Sequence, residues 1–237
     1  MKNTHKLYLP KNPQHPEQKK WIQLLEKFAE MLDEYYDPRD PDDVAYWYGE
    51  QCLTGLLASA AWSLRSRKGW ALVEILETGK KRKERQVDMW LGIDKDKKAS
   101  FTVEAKSHPP TGGDPGKSVQ SISTEIMAAL EQLKKIPKKN NYRWGLPAAV
   151  CYIVPALPTS PRRAPPSEID RMFSESPLNI LGDLTKRFPR ARIVIGSFRF
   201  RGKPPKDKGW CYPGIIVVVV IWTTWRSLNI PQGRQAN

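Results

Sequence analysis

Asp88, Glu104 and Lys106 are the residues of this chain whose types and spacing point to chemistry. Residues 85–93 and 100–106 both read as short β-strands, in which side chains alternate between faces. In the second, Phe101, Val103 and Ala105 share one side, which makes Glu104 and Lys106 neighbours on the other. In the first, Val87, Met89 and Leu91 form the apolar face, and Asp88 lies opposite with Gln86 and Trp90. If the two strands pair with these faces in register, Asp88 and Glu104 converge beside a lysine. Two such carboxylates can hold a hard divalent cation, Mg2+ or Mn2+, which takes a few carboxylate and carbonyl oxygens and keeps several waters. A cation there polarises a phosphate and activates water, while the ammonium orients or deprotonates that water and offsets charge on the phosphorane. The main-chain carbonyl of Ala105 is expected as a further metal ligand. Phosphodiester hydrolysis is the reaction that needs this combination.

Glu50 is the expected fourth member. It falls on a predicted helix over residues 44–65, on the same side as Tyr46, Leu53, Leu57, Ala60, Ala61 and Leu64. A carboxylate facing the core is costly without a partner, so a metal-bound water, Lys106 or a structural arginine should satisfy it. A plain ion pair is the alternative reading of Glu50, and a cross-strand surface pair is the alternative for Glu104 and Lys106. The acid-any-lysine spacing is not specific by itself, since Glu17-Gln18-Lys19 repeats it at the start of a polar helical turn. Asp94 and Asp96 sit in turn chemistry and read as solvated, and His108 reads as a polar loop residue.

The elements that must position these groups follow from periodicity. Residues 1–16, with Pro10, Pro13 and Pro16, read as an extended arm, and residues 17–36 carry Trp21, Leu24, Leu25, Phe28 and Leu32 at helical spacing. After the helix that bears Glu50, residues 71–77, 85–93 and 100–106 form an antiparallel meander. A helix over 118–136 and an apolar strand over 148–154 complete a helix, three strands, helix, strand order. Residues 155–166 hold five prolines and read as a surface linker, followed by a helix near 178–188 and strands at 192–200 and 214–225. The last of these is so uniformly apolar that both its faces should be covered. The expected class is α/β, with a central mixed sheet flanked by helices. The expected division is an N-terminal arm and helix (1–43), a core (44–154), and a C-terminal extension packed on the same domain (155–237).

Composition narrows the partners. The 39 Lys and Arg against 25 Asp and Glu leave a formal charge of +14, which attracts polyanions and makes nucleic acid the expected partner. Lys80, Lys81, Arg82, Lys83 and Arg85 crowd the turn between the first two meander strands, where they would grip phosphates or serve as a solvated hairpin tip. Arg199, Arg201, Lys203, Lys206 and Lys208 form a second basic stretch. The tryptophans fall mostly at apolar spacing and read as core. The cysteines Cys52, Cys151 and Cys211 are odd in number and far apart, which argues against a zinc site and a disulfide framework. No apolar run is long enough to span a bilayer, so no membrane partner and a cytoplasmic location are expected.

Asp88, then Glu104-Ala105-Lys106, with Glu50 on the preceding helix, resembles the PD-(D/E)xK nuclease superfamily over residues 44–154. The resemblance implies the restriction-endonuclease-like core (αβββαβ), with an N-terminal helix and C-terminal strands as extensions, and a Mg2+-dependent nuclease that cuts DNA in restriction, phage defence or a mobile element. Val87 stands where the pattern has proline. Some members place a further active-site residue on the helix after the motif, and Glu125, Glu131 and Gln132 lie there without a spacing that selects one. Two other functions fit the same fold: a noncatalytic nucleic-acid-binding or assembly subunit, and an RNA-cleaving enzyme. Cutting both strands calls for two sites, so a homodimer or partner protein is an open expectation.

Overall fold

The computed structural model of the chain describes residues 4–10, 15–35, 44–64, 69–77, 85–93, 100–108, 116, 119–136, 145–158, 166–200, 206–207 and 209–228. In chain order the elements are β1 (Thr4–Tyr8), α1 (Pro16–Tyr35), α2 (Gly49–Ser63), β2 (Trp70–Glu77), β3 (Arg85–Gly92), β4 (Ser100–His108), α3 (Val119–Lys135), β5 (Leu146–Ile153), β6 (Leu157–Pro158), α4 (Pro166–Arg187), β7 (Ala191–Arg199), β8 (Lys206–Asp207), β9 (Trp210–Cys211) and β10 (Gly214–Trp222). The class is α/β. A seven-stranded mixed sheet runs β1-β7-β10-β5-β4-β3-β2, and β6, β9 and β8 form a small second sheet.

The centre of the sheet is buried on both faces, whereas Leu72 and Val73 of the edge strand β2 are exposed. The stripe Trp21, Leu24, Leu25 and Phe28 of α1 joins Leu53 and Leu57 of α2 over Phe101, Val103 and Ala105 of β4. On the other face, Ile122, Ile126 and Leu130 of α3 and Ile180 and Leu184 of α4 cover Cys151 and Ile153 of β5. All nine residues of β10 are buried, split by alternation between the two layers, as a continuous apolar run between two helical layers requires. β2, β3 and β4 form the antiparallel meander, and β5 then pairs with β4 in parallel, Glu104 opposite Ala149 and Lys106 opposite Cys151. Gly145 makes that return tight: its φ is +67°, and a Cβ there would meet the Ser100 carbonyl at 1.7 Å.

Several expectations are corrected. Part of the N-terminal arm is an edge strand, β1, paired antiparallel with β7. The start of the proline-rich segment is packed, since residues 154–157 are buried and Leu157 pairs with Cys211; residues 159–165 lie outside the described residues. The helix expected near 178–188 begins at Pro166 and runs through Pro177. Proline at that position offers no N–H to the Phe173 carbonyl, and that carbonyl instead accepts the Tyr8 hydroxyl at 3.0 Å and the Ser197 hydroxyl at 2.9 Å. The sheet has replaced the missing helical donor, so the helix continues. Trp62 and Trp210 are exposed rather than core. Among the described residues no helix is long and apolar enough to cross a membrane.

Candidate active site

The β3–β4 ladder runs from Gly92↔Ser100 to Met89↔Val103. Asp88 is the first residue of β3 beyond it. Val87 packs in the layer of α3, whereas Met89 and Leu91 pack in the layer of α1 and α2, so the expected common face of these three residues breaks at Asp88. Past Val103, β4 keeps its parallel partner β5 on one side, and on the other its main chain is offered to side chains. The Ala105 N–H donates to Asp88 Oδ2 at 2.7 Å, and two residues on the Ser107 N–H donates to Glu50 Oε2 at 2.8 Å. Two carboxylates thus take consecutive outward N–H groups of β4, which satisfies donors that a buried sheet edge cannot leave unpaired. The opening also lets Glu50, in the first turn of α2, reach a site that the opposite layer helps to build.

Lys106 sits among these acids. Its Nζ donates to the Ala105 carbonyl at 2.5 Å and lies 3.7 Å from Glu50 Oε1 and 3.9 Å from Asp88 Oδ2. Of the partners expected for Glu50, the structure supplies Lys106, and the Ser107 N–H joins it. Burial pushes the Glu50 carboxyl above its ordinary range; Lys106 opposes this, and the charge of Asp88 adds to it. Glu104 is the most enclosed of the group at 2% exposure. Burial first, then the charge of Asp88 and a hydrogen bond with it, push the Glu104 carboxyl up to about 9.

Residues that sequence spacing left unresolved now separate. On α3, Glu125 is half-buried and its charge bears on Glu50, whereas Glu131 pairs with Lys134 at 2.6 Å and Gln132 is exposed. His108 is no loop residue: it ends β4, is buried, and shares a hydrogen bond with Ser121 Oγ of α3 at 2.7 Å. The second acid-any-lysine copy is structural, since Glu17 pairs with Arg192 and Gln18 donates to the Ile193 carbonyl at 3.1 Å. Arg199 of the second basic stretch pairs with Asp170 of α4. Lys80, Lys81, Arg82 and Lys83 lie outside the described residues, as do Asp94 and Asp96, and Arg85 opens β3 opposite Glu77. Ser107 acts through its main chain, which no residue type could signal.

The donor set suits a hard cation. Asp88 accepts from the Ala105 N–H and Lys106 donates to the Ala105 carbonyl, so with the neighbouring Glu104 these are the oxygens on the opened side of β4 that could hold such an ion. Among the described residues no group of three or more His, Cys, Asp or Glu is placed to hold a metal ion, so a carbonyl and retained waters would have to complete the shell. That is the coordination habit of Mg2+ rather than of zinc. The chain matches no protein-family model, no curated protein and no solved structure.

Proposed function

We propose that this chain is a Mg2+-dependent nuclease that hydrolyses DNA phosphodiester bonds, built on the restriction-endonuclease-like core of the PD-(D/E)xK superfamily. One observation carries the reading: where β4 loses its antiparallel partner, Asp88, Lys106 and Glu50 gather on the strand-free side of the Ala105 and Ser107 main chain, next to the enclosed Glu104. Surface ion pairs do not require a strand to open and do not enclose a glutamate at 2% exposure.

Asp88, Glu104 and the Ala105 carbonyl would hold Mg2+, or Mn2+ in its place, with Glu50 bound through a water or a second ion. Bound there, the metal would supply Lewis acidity toward a phosphate oxygen and a lowered pKa for a water. Lys106 holds that water for attack, and its charge offsets the negative charge that develops on the phosphate. Glu50 restrains the Lys106 ammonium from one side and Asp88 from the other, so the donor is aimed before substrate arrives. The formal charge of +14 favours a polyanion as substrate, and Lys80, Lys81, Arg82, Lys83 and Arg85 are proposed as phosphate contacts.

The test is incubation with plasmid, linear and single-stranded DNA, and with RNA, in Mg2+ or Mn2+. Cleavage should vanish in EDTA and fall at least about a hundredfold in Glu104→Ala and Lys106→Ala. Equal cutting by these variants would sink the assignment. A parent that binds DNA as tightly as Asp88→Ala and cuts nothing would be a noncatalytic subunit, and preferred cutting of RNA would change the substrate.

A further inference from the structure

Beneath Glu50 lie two hydroxyls that the site so far leaves unused. Tyr152 of β5 is 0% exposed and stands opposite Ser107 in the β4–β5 ladder, and the Ser107 N–H is the one that Glu50 accepts. Thr54 is one helical turn beyond Glu50 on α2, so its side chain lies on the same side of the helix and is also buried. Among the described residues, neither Tyr152 Oη nor Thr54 Oγ1 completes a hydrogen bond of normal geometry. Burial raises the Tyr152 phenol above its ordinary range, the adjacent Thr54 hydroxyl opposes this, and the charges of Glu50 and Asp88 add to it. The strand register and the helical spacing place Tyr152 and Thr54 in the layer between β5 and α2, on the side of the sheet from which Glu50 reaches the Ser107 N–H.

Two buried hydroxyls without partners cost about 1 to 3 kcal/mol each, and most such groups are satisfied. A core of leucine or phenylalanine would avoid that cost. Tyr152 Oη, Thr54 Oγ1 and the Glu50 carboxylate together offer the two to four polar contacts that an internal water takes. We propose that Tyr152 is a positioning residue for Glu50, acting with Thr54 through an internal water that the two hydroxyls hold against the Glu50 carboxylate. The role rests on the nuclease reading for what Glu50 is aimed at. It gives Glu50 an anchor on its buried side, in addition to the Ser107 N–H and Lys106, so the carboxylate keeps its direction if Lys106 moves to its catalytic position.

The experiment compares the parent, Tyr152→Phe, Thr54→Val and Thr54→Ser, each alone and in a Glu50→Gln background. Calorimetric titration with Mn2+ is read beside DNA cleavage across Mg2+ concentrations. Tyr152→Phe should fold with a Tm only slightly below the parent's, since it keeps the buried ring and loses a single hydrogen bond, yet need about tenfold more Mn2+ for half-saturation. Its maximal cleavage rate should fall less than its metal affinity. Thr54→Val should reproduce the loss, Thr54→Ser should restore it, and in the Glu50→Gln background Tyr152→Phe should add nothing. A Tyr152→Phe or Thr54→Val titration that overlays the parent's, or an undiminished loss without Glu50, overturns the proposal while leaving the nuclease reading intact. If the parent neither binds Mn2+ nor cuts, the nuclease reading itself fails. A crystal structure of the parent then decides the hydrogen-bond chain independently: density bridging Tyr152 Oη to Glu50 supports it, and a dry gap refutes it.

Discussion

Replacing Glu104 with glutamine should stabilise the metal-free protein at neutral pH and have little effect in mild acid. In the unfolded chain the carboxyl ionises near 4.5, whereas in the folded protein burial and the charge of Asp88 hold it protonated up to about 9. Folding in between takes up a proton, so stability present below 4.5 is lost steadily as pH rises toward 9. The loss is about 1.4 kcal/mol per pH unit, on the order of 3 to 4 kcal/mol at most by pH 7. Glutamine is neutral throughout and keeps a donor for Asp88, so Glu104→Gln escapes this cost. Urea denaturation in EDTA at pH 5 and pH 7.5, followed by tryptophan fluorescence, reads the effect as a difference between variant and parent in which the other titrating groups cancel. The variant should gain less than about 1 kcal/mol at pH 5 and between about 2 and 4 kcal/mol at pH 7.5. A difference that is the same at both pH values would refute the argument, because it would mean that Glu104 folds with the proton affinity of an ordinary glutamate. The same variant should fail to cut DNA, so stability and activity move in opposite directions.

Glu17→Gln, in the other acid-any-lysine copy, should cut DNA like the parent while lowering stability by about 1 to 2 kcal/mol in urea denaturation, since it weakens a partly buried pair with Arg192; a large loss of cleavage would move the active site to that copy. Gly145→Ala should lower unfolding free energy by about 3 kcal/mol or more in chemical denaturation, because the added methyl meets the Ser100 carbonyl and the positive φ disfavours it. Tyr8→Phe and Ser197→Ala should each cost under about 1 kcal/mol, while the double variant costs about 2 kcal/mol or more, since only the pair leaves the Phe173 carbonyl without a donor. Strict additivity in that cycle would mean that the two hydroxyls do not share the acceptor.

Much of the carboxylate pair was legible in the sequence because strand alternation is a local rule. Two short strands joined by a turn were enough to bring Asp88 toward β4, where the register runs as far as Met89↔Val103 and Asp88 then accepts from the Ala105 N–H. Glu50 was visible as an acid in an apolar helix, but choosing its partner among a metal water, lysine and arginine required three dimensions. Three features were hidden for different physical reasons. The N–H groups of Ala105 and Ser107 belong to the main chain, which is the same in every residue, so their capture by Asp88 and Glu50 leaves no mark on composition. Tyr152 reads as core in any pattern, and only the parallel register of β5 places it beneath Glu50. Pro177 gave a local signal to stop a helix, which lost to two hydroxyls 169 and 20 positions away in sequence. Local rules fail here where a distant group takes over a local duty.

The position of β10 has a consequence for how the molecule assembles. It lies between β5 and β7 in the sheet but follows both in the chain. Until it inserts, β1 with β7 and β2 through β5 are two separate partial sheets, each with an open edge along a central strand. The segment Gly214–Trp222 is uncharged, proline-free and rich in valine and isoleucine, the composition that pairs readily with copies of itself. Its entry into the seam therefore competes with self-association, and the pairing is long-range on the β5 side and slow to form. Asp88, Glu104 and Lys106 sit on the partial sheet that is contiguous in sequence, whose strands β2 to β4 can pair by local hairpins. Errors in β10 should accordingly be felt as less protein reaching the native state, while each molecule that does reach it turns over at the ordinary rate.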